Sequence, residues 1–234
     1  MKRSKRTCKV IESDNSKIPI PTVKRLPSYL RLLYQAEEKG AKHISATMLA
    51  TELGLKPIQV RKDISSTGVE GKPKIGFEIS ELTKRITQVL GWDTLTDAVI
   101  VGAGNLGSAL AAYNGFLAYG LRVVAVFDKD AAKTGKDING TPVLPVDGMA
   151  AYIKLHKVPV AIISVPAAQA QMVADMLVKA GVKGIWNFAP KEIKVPERIV
   201  VQRTDLARSF AVLSVKLRDK EKGREKPKSE PSLF

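Results

Sequence analysis

Hydrophobic positions in the first ninety residues recur three and four apart. Val23, Leu26, Leu30 and Leu33 mark a helical stripe that starts at Pro21 and stops at Gly40. Pro27 lies inside it and forces a kink or a restart. Ser45 is placed to cap a helix over 46–53 that Gly54 ends, and Pro57 opens another over 57–65. Val60 and Ile64, four apart, face the core of that helix. Gln59, Lys62 and Ser66 then fall on the opposite side and Arg61 on the flank. Residues 68–77 are dense in glycine and lysine between short β-prone runs, and read as a hairpin exposing Lys72 and Lys74 at its tip. A further helix, capped by Ser80 and carrying Leu82, Ile86, Val89 and Leu90, closes the module near Gly91 and Trp92. Helix, glycine-containing turn, helix and hairpin form the pattern of a winged helix-turn-helix.

From Asp97 the pattern changes to strand and helix in alternation. Strands are expected at 98–101, 123–127, 143–144, 160–164, 184–188 and 199–202. Helices are expected at 106–118, at 148–156 with Asp147 as cap, and at 167–180 ended by Gly181. This is the signature of an α/β doubly wound parallel sheet, Rossmann-like in order. A last helix over 205–218 carries Leu206, Phe210, Leu213 and Leu217, a stripe that must pack on its own sheet or on another subunit. The charged stretches at the two ends are expected to be disordered. The predicted organisation is therefore a basic arm at 1–19, a winged helix at 20–91, a nucleotide domain at 92–204, a C-terminal helix at 205–218 and a tail at 219–234.

Charge sharpens this division. The net charge is +15, and residues 1–90 carry 18 Lys and Arg against 9 Asp and Glu, whereas residues 91–212 carry 13 against 10. The excess sits ahead of the α/β half. Such a block points to a polyanion, nucleic acid first and an anionic membrane second, although a merely solvated basic surface has the same composition. No run is long and apolar enough to cross a membrane, and the basic N-terminus lacks an apolar segment after it, so a soluble cytoplasmic protein is expected. The single Cys8 excludes an internal disulfide framework and reads as a solvated thiol or a reactive one.

The chemistry centres on Gly102, Ala103, Gly104, Asn105, Leu106 and Gly107, a G-x-G-x-x-G between an apolar run and a helical pattern, with Asp128 closing a second apolar run 21 residues after Gly107. Gly102 permits the tight turn, Gly104 the approach of a pyrophosphate, and Gly107 the close packing of helix on strand. The helix N-terminus supplies free N–H groups for phosphate. Asp128 is placed to accept from ribose hydroxyls and to repel a 2′-phosphate, which favours NAD+ and NADH over their phosphorylated forms. Ligands of such sheets bind at strand carboxyl ends, so Val165 and Pro166, after Ser164, and Asn187 and Phe188 should lie beside the dinucleotide.

In the basic half, Gln59, Arg61, Lys62, Ser66, Lys72 and Lys74 have the donors a DNA reader needs. Arg and Lys suit guanine or phosphate, and Gln suits adenine. An NAD-dependent oxidoreductase is the alternative, since the fold alone permits it. His43 and His156 are the only histidines, neither lies at a strand carboxyl end, and no Tyr-x-x-x-Lys pair stands in a dehydrogenase position.

Several stretches together resemble the Rex family of bacterial redox-sensing repressors. They are Arg25-Leu26-Pro27-Ser28-Tyr29-Leu30-Arg31, Gln59-Val60-Arg61-Lys62-Asp63, Gly71-Lys72, Gly76-Phe77, the glycine fingerprint through Leu110, Phe127-Asp128-Lys129-Asp130, Ser164-Val165-Pro166, Asn187-Phe188-Ala189-Pro190 and Asp205-Leu206-Ala207. The resemblance implies a homodimer that binds double-stranded operator DNA and is released when NADH rises relative to NAD+, with the nucleotide as an effector that is not consumed. It implies a C-terminal helix exchanged between subunits, and a polar switch at Arg31, Tyr113 and Asp205. No metal and no membrane enter this reading. The chain departs from the family at Lys56, where a capping residue is commoner, at Ser66 and Thr67, where an aromatic pair is commoner, and at Pro73 and Lys74, where Arg-Gly is commoner.

Overall fold

The computed structural model describes residues 18–224, so the expectations for residues 1–17, Cys8 among them, and for 225–234 lie outside the described residues. The chain divides after Leu95 into two compact units.

The first unit contains α1 (Ile20–Val23), α2 (Leu26–Glu38), β1 (His43–Ile44), α3 (Ala46–Leu53), α4 (Pro57–Ser65), β2 (Phe77–Glu78) and α5 (Ile79–Leu90). Pro27 sits in the first turn of α2, so the chain restarts there and loses no interior hydrogen bond. Ser45 caps α3 by accepting from the Met48 N–H at 3.1 Å, and Gly54 ends the helix at φ +63°. Leu30, Leu33, Leu49, Val60, Ile64 and Leu82 meet in one apolar core.

Two expectations for this unit change. Ser80 is not a cap, because α5 starts at Ile79 and Glu78 holds the capping position; the Ser80 hydroxyl donates to the Glu78 carboxylate instead. The stretch at 68–77 is not a regular hairpin either. Its one ladder contact joins Lys72 to Gly76, and the wing is anchored by β1 pairing antiparallel with β2. The tip is a tight turn in which the Ile75 N–H donates to the Lys72 carbonyl, with Pro73 at the first central position and Lys74 at φ +63° at the second. That second position normally falls to glycine.

The second unit contains β3 (Thr96–Val101), α6 (Asn105–Ala111), β4 (Leu121–Asp128), β5 (Asp137–Ile138), β6 (Thr141–Pro145), α7 (Met149–His156), β7 (Val160–Ile163), α8 (Ala167–Ala180), β8 (Gly184–Asn187), β9 (Val200–Arg203) and α9 (Leu206–Arg224). The sheet runs β5-β6-β4-β3-β7-β8-β9. β3 starts the parallel sheet, β4 and β6 grow to one side, and β7, β8 and β9 to the other. The order therefore reverses beside the carboxyl end of β3, where ligands bind in doubly wound sheets. Val99 and Val101 pack into one apolar layer and Ile100 into the layer on the other face, which is why β3 reads as an unbroken apolar run.

The sheet is mixed, not wholly parallel. β5 pairs antiparallel with β6 through a two-residue turn at Asn139 and Gly140, both with positive φ. An Asn-Gly pair is a strong hairpin signal. The helix expected over 106–118 stops at Ala111, and a 3₁₀ turn, Asn114–Tyr119, takes over. Asn114 and Gly115 are poor helix formers, and the turn buries Phe116. Asp147 makes no capping bond; it lies in a 3₁₀ turn ahead of α7. At the far end α9 continues to Arg224 instead of stopping at Arg218, carried by Lys- and Glu-rich sequence with good helix propensity.

Candidate functional site

β3 ends at Val101, and Gly102 follows at φ +104°. A Cβ there would stand 2.8 Å from the Ser164 carbonyl oxygen and 3.0 Å from Val165. Gly107, one turn into α6, lies so close beneath that any Cβ would collide with the Gly102 carbonyl. Gly104 differs: nothing stands within 4 Å of its Cβ direction. Two glycines are thus required by the protein's own packing, and the third leaves an open approach to the backbone at the start of α6. Ser164 closes the floor, its hydroxyl within 2.9 Å of the Gly102 carbonyl and 3.1 Å of the Val101 carbonyl.

Asp128, at the end of β4, is locked to this loop. Its Oδ2 accepts from the Ala103 N–H at 2.6 Å and its Oδ1 from the Asp130 N–H at 2.9 Å, while Lys133 Nζ lies 3.4 Å from Oδ2. Burial works against its charge, but the two N–H donors and the Lys133 ammonium more than offset this and hold the carboxyl below its ordinary range. Asp128 is therefore ionised, with Oδ1 retaining free acceptor capacity.

A cleft of about 530 Å³ opens over these groups, within the usual range for a small-molecule site. Gly102, Gly104, Asp128, Val165 and Pro166, all singled out in the sequence, line it. Asn105 and Leu106 open α6 beside it. Sequence reasoning missed Lys129, Lys133, Val146, Asp147 and one flank of α8, represented by Gln169, Met172 and Met176. Met172 is 59% exposed on a helix whose neighbours Val173 and Leu177 are buried, and this off-stripe methionine was the available signal.

Asn187 and Phe188 lie at the end of β8. Asn187 is only 1% exposed, and both ends of its amide are used inside its own loop, donating to the Lys191 carbonyl and accepting from the Ala189 N–H. In this ligand-free chain its side chain holds that loop. Phe188 packs on Trp186 with centroids 4.9 Å apart.

In the first unit, Asp63 on α4 organises the basic half. It is 1% exposed and accepts five hydrogen bonds: Oδ1 from Thr22, Arg25 Nη2 and Gln59, and Oδ2 from Arg25 Nε and Tyr29. Burial opposes the charge, yet these donors, Arg25 first, hold the carboxyl at about 2. The Asp63 bond keeps Arg25 firmly protonated, and burial together with the same carboxylate pushes the Tyr29 phenol upward. The cluster ties α4 to α1 and α2. Its cost to the sequence reading is Gln59, which is half-buried against Asp63 and not on the outer face. A five-donor acceptor could not be foreseen from a charged residue on a helix.

Arg61, Lys62, Ser66, Lys72 and Lys74 are all exposed. Arg61, Lys72 and Lys74 line a single groove of about 620 Å³ between the N-terminus of α3, α4 and the wing, together with Ser45, Thr47 and Ser65. Lys62 and Ser66 lie outside that groove lining. The Ser66 hydroxyl donates to the Asp63 carbonyl at 2.6 Å.

Each expected switch residue has its own setting. Arg31 is exposed on α2. Tyr113 is 52% exposed, its ring edge-on to Phe116 at 5.0 Å. Asp205 pairs with Arg203 at 3.0 Å and accepts from the Ala207 N–H at the start of α9. Arg203, which also reaches Glu192, was not anticipated. Along α9, Phe210, Leu213 and Leu217 are all more than half exposed in the single chain.

Residues 17–65 match the family described as "Putative DNA-binding protein N-terminus", and residues 93–191 match the CoA binding domain family. The redox-sensing transcriptional repressor Rex of Treponema denticola is 45% identical over 205 residues, covering 87% of this chain and 98% of that protein. Its counterpart in Carboxydothermus hydrogenoformans is 44% identical, covering 86% and 97%. Among solved structures, RSP, a Rex-family repressor, in complex with β-NAD+ and operator DNA superposes with a TM-score of 0.82 at 32% identity, covering 92% of this chain and 99% of that one. RSP in complex with β-NADH superposes with a TM-score of 0.79 at 31% identity, covering 89% and 98%. With relatedness of this degree running through both units, the chain belongs to the Rex family of redox-sensing transcriptional repressors.

Proposed function

We propose that this chain is a homodimeric cytoplasmic repressor whose first unit binds operator DNA and whose second unit binds NAD+ or NADH as a regulatory effector, NADH releasing the DNA. The observation that carries the reading is the pairing, in one chain, of a dinucleotide cradle with a basic reading groove, matched over 92% of its length by a relative solved with both ligands.

Chemically, the phosphates would meet the N–H groups at the start of α6 beside Gly104, and Oδ1 of Asp128 would accept from an adenosine ribose hydroxyl. The Asp128 charge disfavours a phosphate on that ribose, which argues against NADP(H) and against coenzyme A as the ligand of this domain. Arg61, Lys62, Ser66, Lys72 and Lys74 would face DNA, with Gln59 positioning Asp63. The apolar stripe of α9, bare in the single chain, would be covered by a second copy. Arg31, Tyr113 and Asp205 would exchange partners as the nucleotide changes redox state, Arg203 competing for Asp205.

Against the oxidoreductase reading, neither histidine lines the cleft. His43 lies in the first unit, and His156 ends α7 stacked against Tyr152, at the opposite end of the sheet's helix layer from the strand carboxyl ends. The test is to mix the protein with NADH and follow 340 nm absorbance beside direct binding. Saturable binding without loss of absorbance, and protection of duplex DNA in the same preparation, is the expected result. Steady NADH consumption with a 2-oxo acid, aldehyde or ketone panel would overturn the reading.

A further inference from the structure

We infer that Trp186 is a positioning residue that couples the loop after β8 to the two segments holding Tyr113 and Asp205; the inference rests on the repressor reading above. Successive side chains on β8 point to opposite faces of the sheet. Ile185 enters one apolar layer, and Trp186 packs on the other, the layer that includes Ile100, Ala103 and Ala111.

The indole touches three separate pieces of chain there. On one side Phe188 lies 4.9 Å from it, centroid to centroid. On another, Phe116 lies at 5.9 Å and is itself edge-on to Tyr113 at 5.0 Å. At its polar end the Nε1–H donates to the Thr204 hydroxyl at 2.8 Å, one residue before Asp205. Thr204 is held in turn, its N–H donating to the Asn187 carbonyl at 2.9 Å.

These contacts leave the ring little freedom. Phe188 cannot move toward Trp186 without displacing the indole, because the two rings are already in contact at 4.9 Å between centroids. The indole cannot tilt without breaking the Thr204 bond or shifting Phe116. A space-filling residue at this position would need neither the hydrogen bond nor contact with both segments. Trp186 therefore joins the loop after β8 to the stem of Tyr113 and the root of α9.

The test uses the full-length dimer and a duplex that the wild-type chain itself selects from a random-sequence library. The variants are Trp186→Phe, which keeps a ring and removes the N–H, Thr204→Val, which removes the acceptor at constant shape, and Thr204→Ser, which retains it. For each, the dissociation constants for NADH, for NAD+ and for the duplex with either nucleotide are measured. Couplings between ligands typically amount to about 5- to 150-fold.

The expected result is that Trp186→Phe and Thr204→Val bind both nucleotides and nucleotide-free duplex within threefold of wild type. Their ratio of duplex affinity in NAD+ to that in NADH falls at least fivefold, the double variant falls no further, and Thr204→Ser behaves as wild type. A ratio within twofold of wild type in both variants overturns the inference and leaves the repressor reading standing. Loss of nucleotide binding itself in Trp186→Phe and Thr204→Val also overturns it, since the pair would then shape the ligand site. A wild-type chain whose duplex affinity ignores NADH removes the repressor reading and this inference together.

Discussion

Asp63→Asn removes one charge and almost no volume from the centre of the first unit. The carboxylate accepts five hydrogen bonds on two oxygens. An amide retains one of those oxygens. Its better orientation keeps the oxygen toward Thr22, Gln59 and Arg25 Nη2 and turns the NH₂ toward Tyr29 and Arg25 Nε. The Tyr29 hydroxyl can rotate and accept, but Arg25 Nε cannot. The variant therefore loses one charge-assisted bond and leaves the guanidinium without its counter-charge. Breaking a buried pair costs about 3–5 kcal/mol; because the Arg25 side chain is 28% exposed and can recover some hydration, about 3 kcal/mol is expected. For a unit of this size that lowers the melting temperature by roughly 12–24 °C.

The pH dependence gives an independent check on the same number. The folded value of about 2 lies below the ordinary 3.8. A carboxylate depressed in this way stabilises fully above pH 4, and the contribution disappears as pH falls from 4 through 2; the shift corresponds to about 2 kcal/mol. Calorimetry of the full chain with and without NADH separates the transitions, NADH raising the one that belongs to the nucleotide unit. Urea unfolding at pH 5 and pH 2.5 then supplies the second measurement. A destabilisation below about 1 kcal/mol, or a gap between wild type and variant that does not narrow at low pH, would show that Asp63 does not hold the first unit together in this way.

Three further outcomes follow from the geometry. Gly104→Val should fold as wild type, since no protein atom lies near its Cβ direction, yet abolish NADH binding in a fluorescence titration, whereas Gly107→Val should fail to give a stable nucleotide unit. Asp128→Ala should weaken NADH by about tenfold or more through loss of a charge-assisted bond while weakening NADPH less; an unchanged ratio of the two affinities counts against the ribose assignment. Lys74→Gly should stabilise the wing by about 1 kcal/mol, because φ +63° is unfavourable for lysine, and should flatten the salt dependence of duplex binding by about one phosphate contact.

Much of this architecture is legible in local sequence because local chemistry decides it. Ser45, Gly54, Pro57 and Gly181 set helix ends by capping or by φ, whatever surrounds them. The glycine fingerprint and Asp128 are equally readable, since strand, turn, helix and acid impose fixed spacing. What stayed hidden depends on partners far along the chain. Asp63 is read as an ordinary charged helix residue until Thr22, Arg25 and Tyr29, about forty positions earlier, converge on it. Gln59 is drawn inward by the same acceptor, and Asn187 is consumed by its own loop. Met172, Lys133 and Trp186 gain their meaning only when the sheet order brings β4, β8 and α8 to one end. The shortened α6 is legible as well, since Asn114 and Gly115 are poor helix formers and the chain turns to a 3₁₀ segment there.

Under the proposed function, the exposed stripe of α9 would be covered by a second copy, and the dimer would present two grooves to one duplex. The measurement that bears most directly on the whole account is the reciprocal one. Affinity for the self-selected duplex is determined in saturating NAD+ and in saturating NADH, and affinity for NADH is determined with and without that duplex. The expected result is a loss of duplex affinity in NADH and an equal factor of loss in NADH affinity on the duplex, as linkage requires. Duplex affinity that is the same in both nucleotides would contradict it.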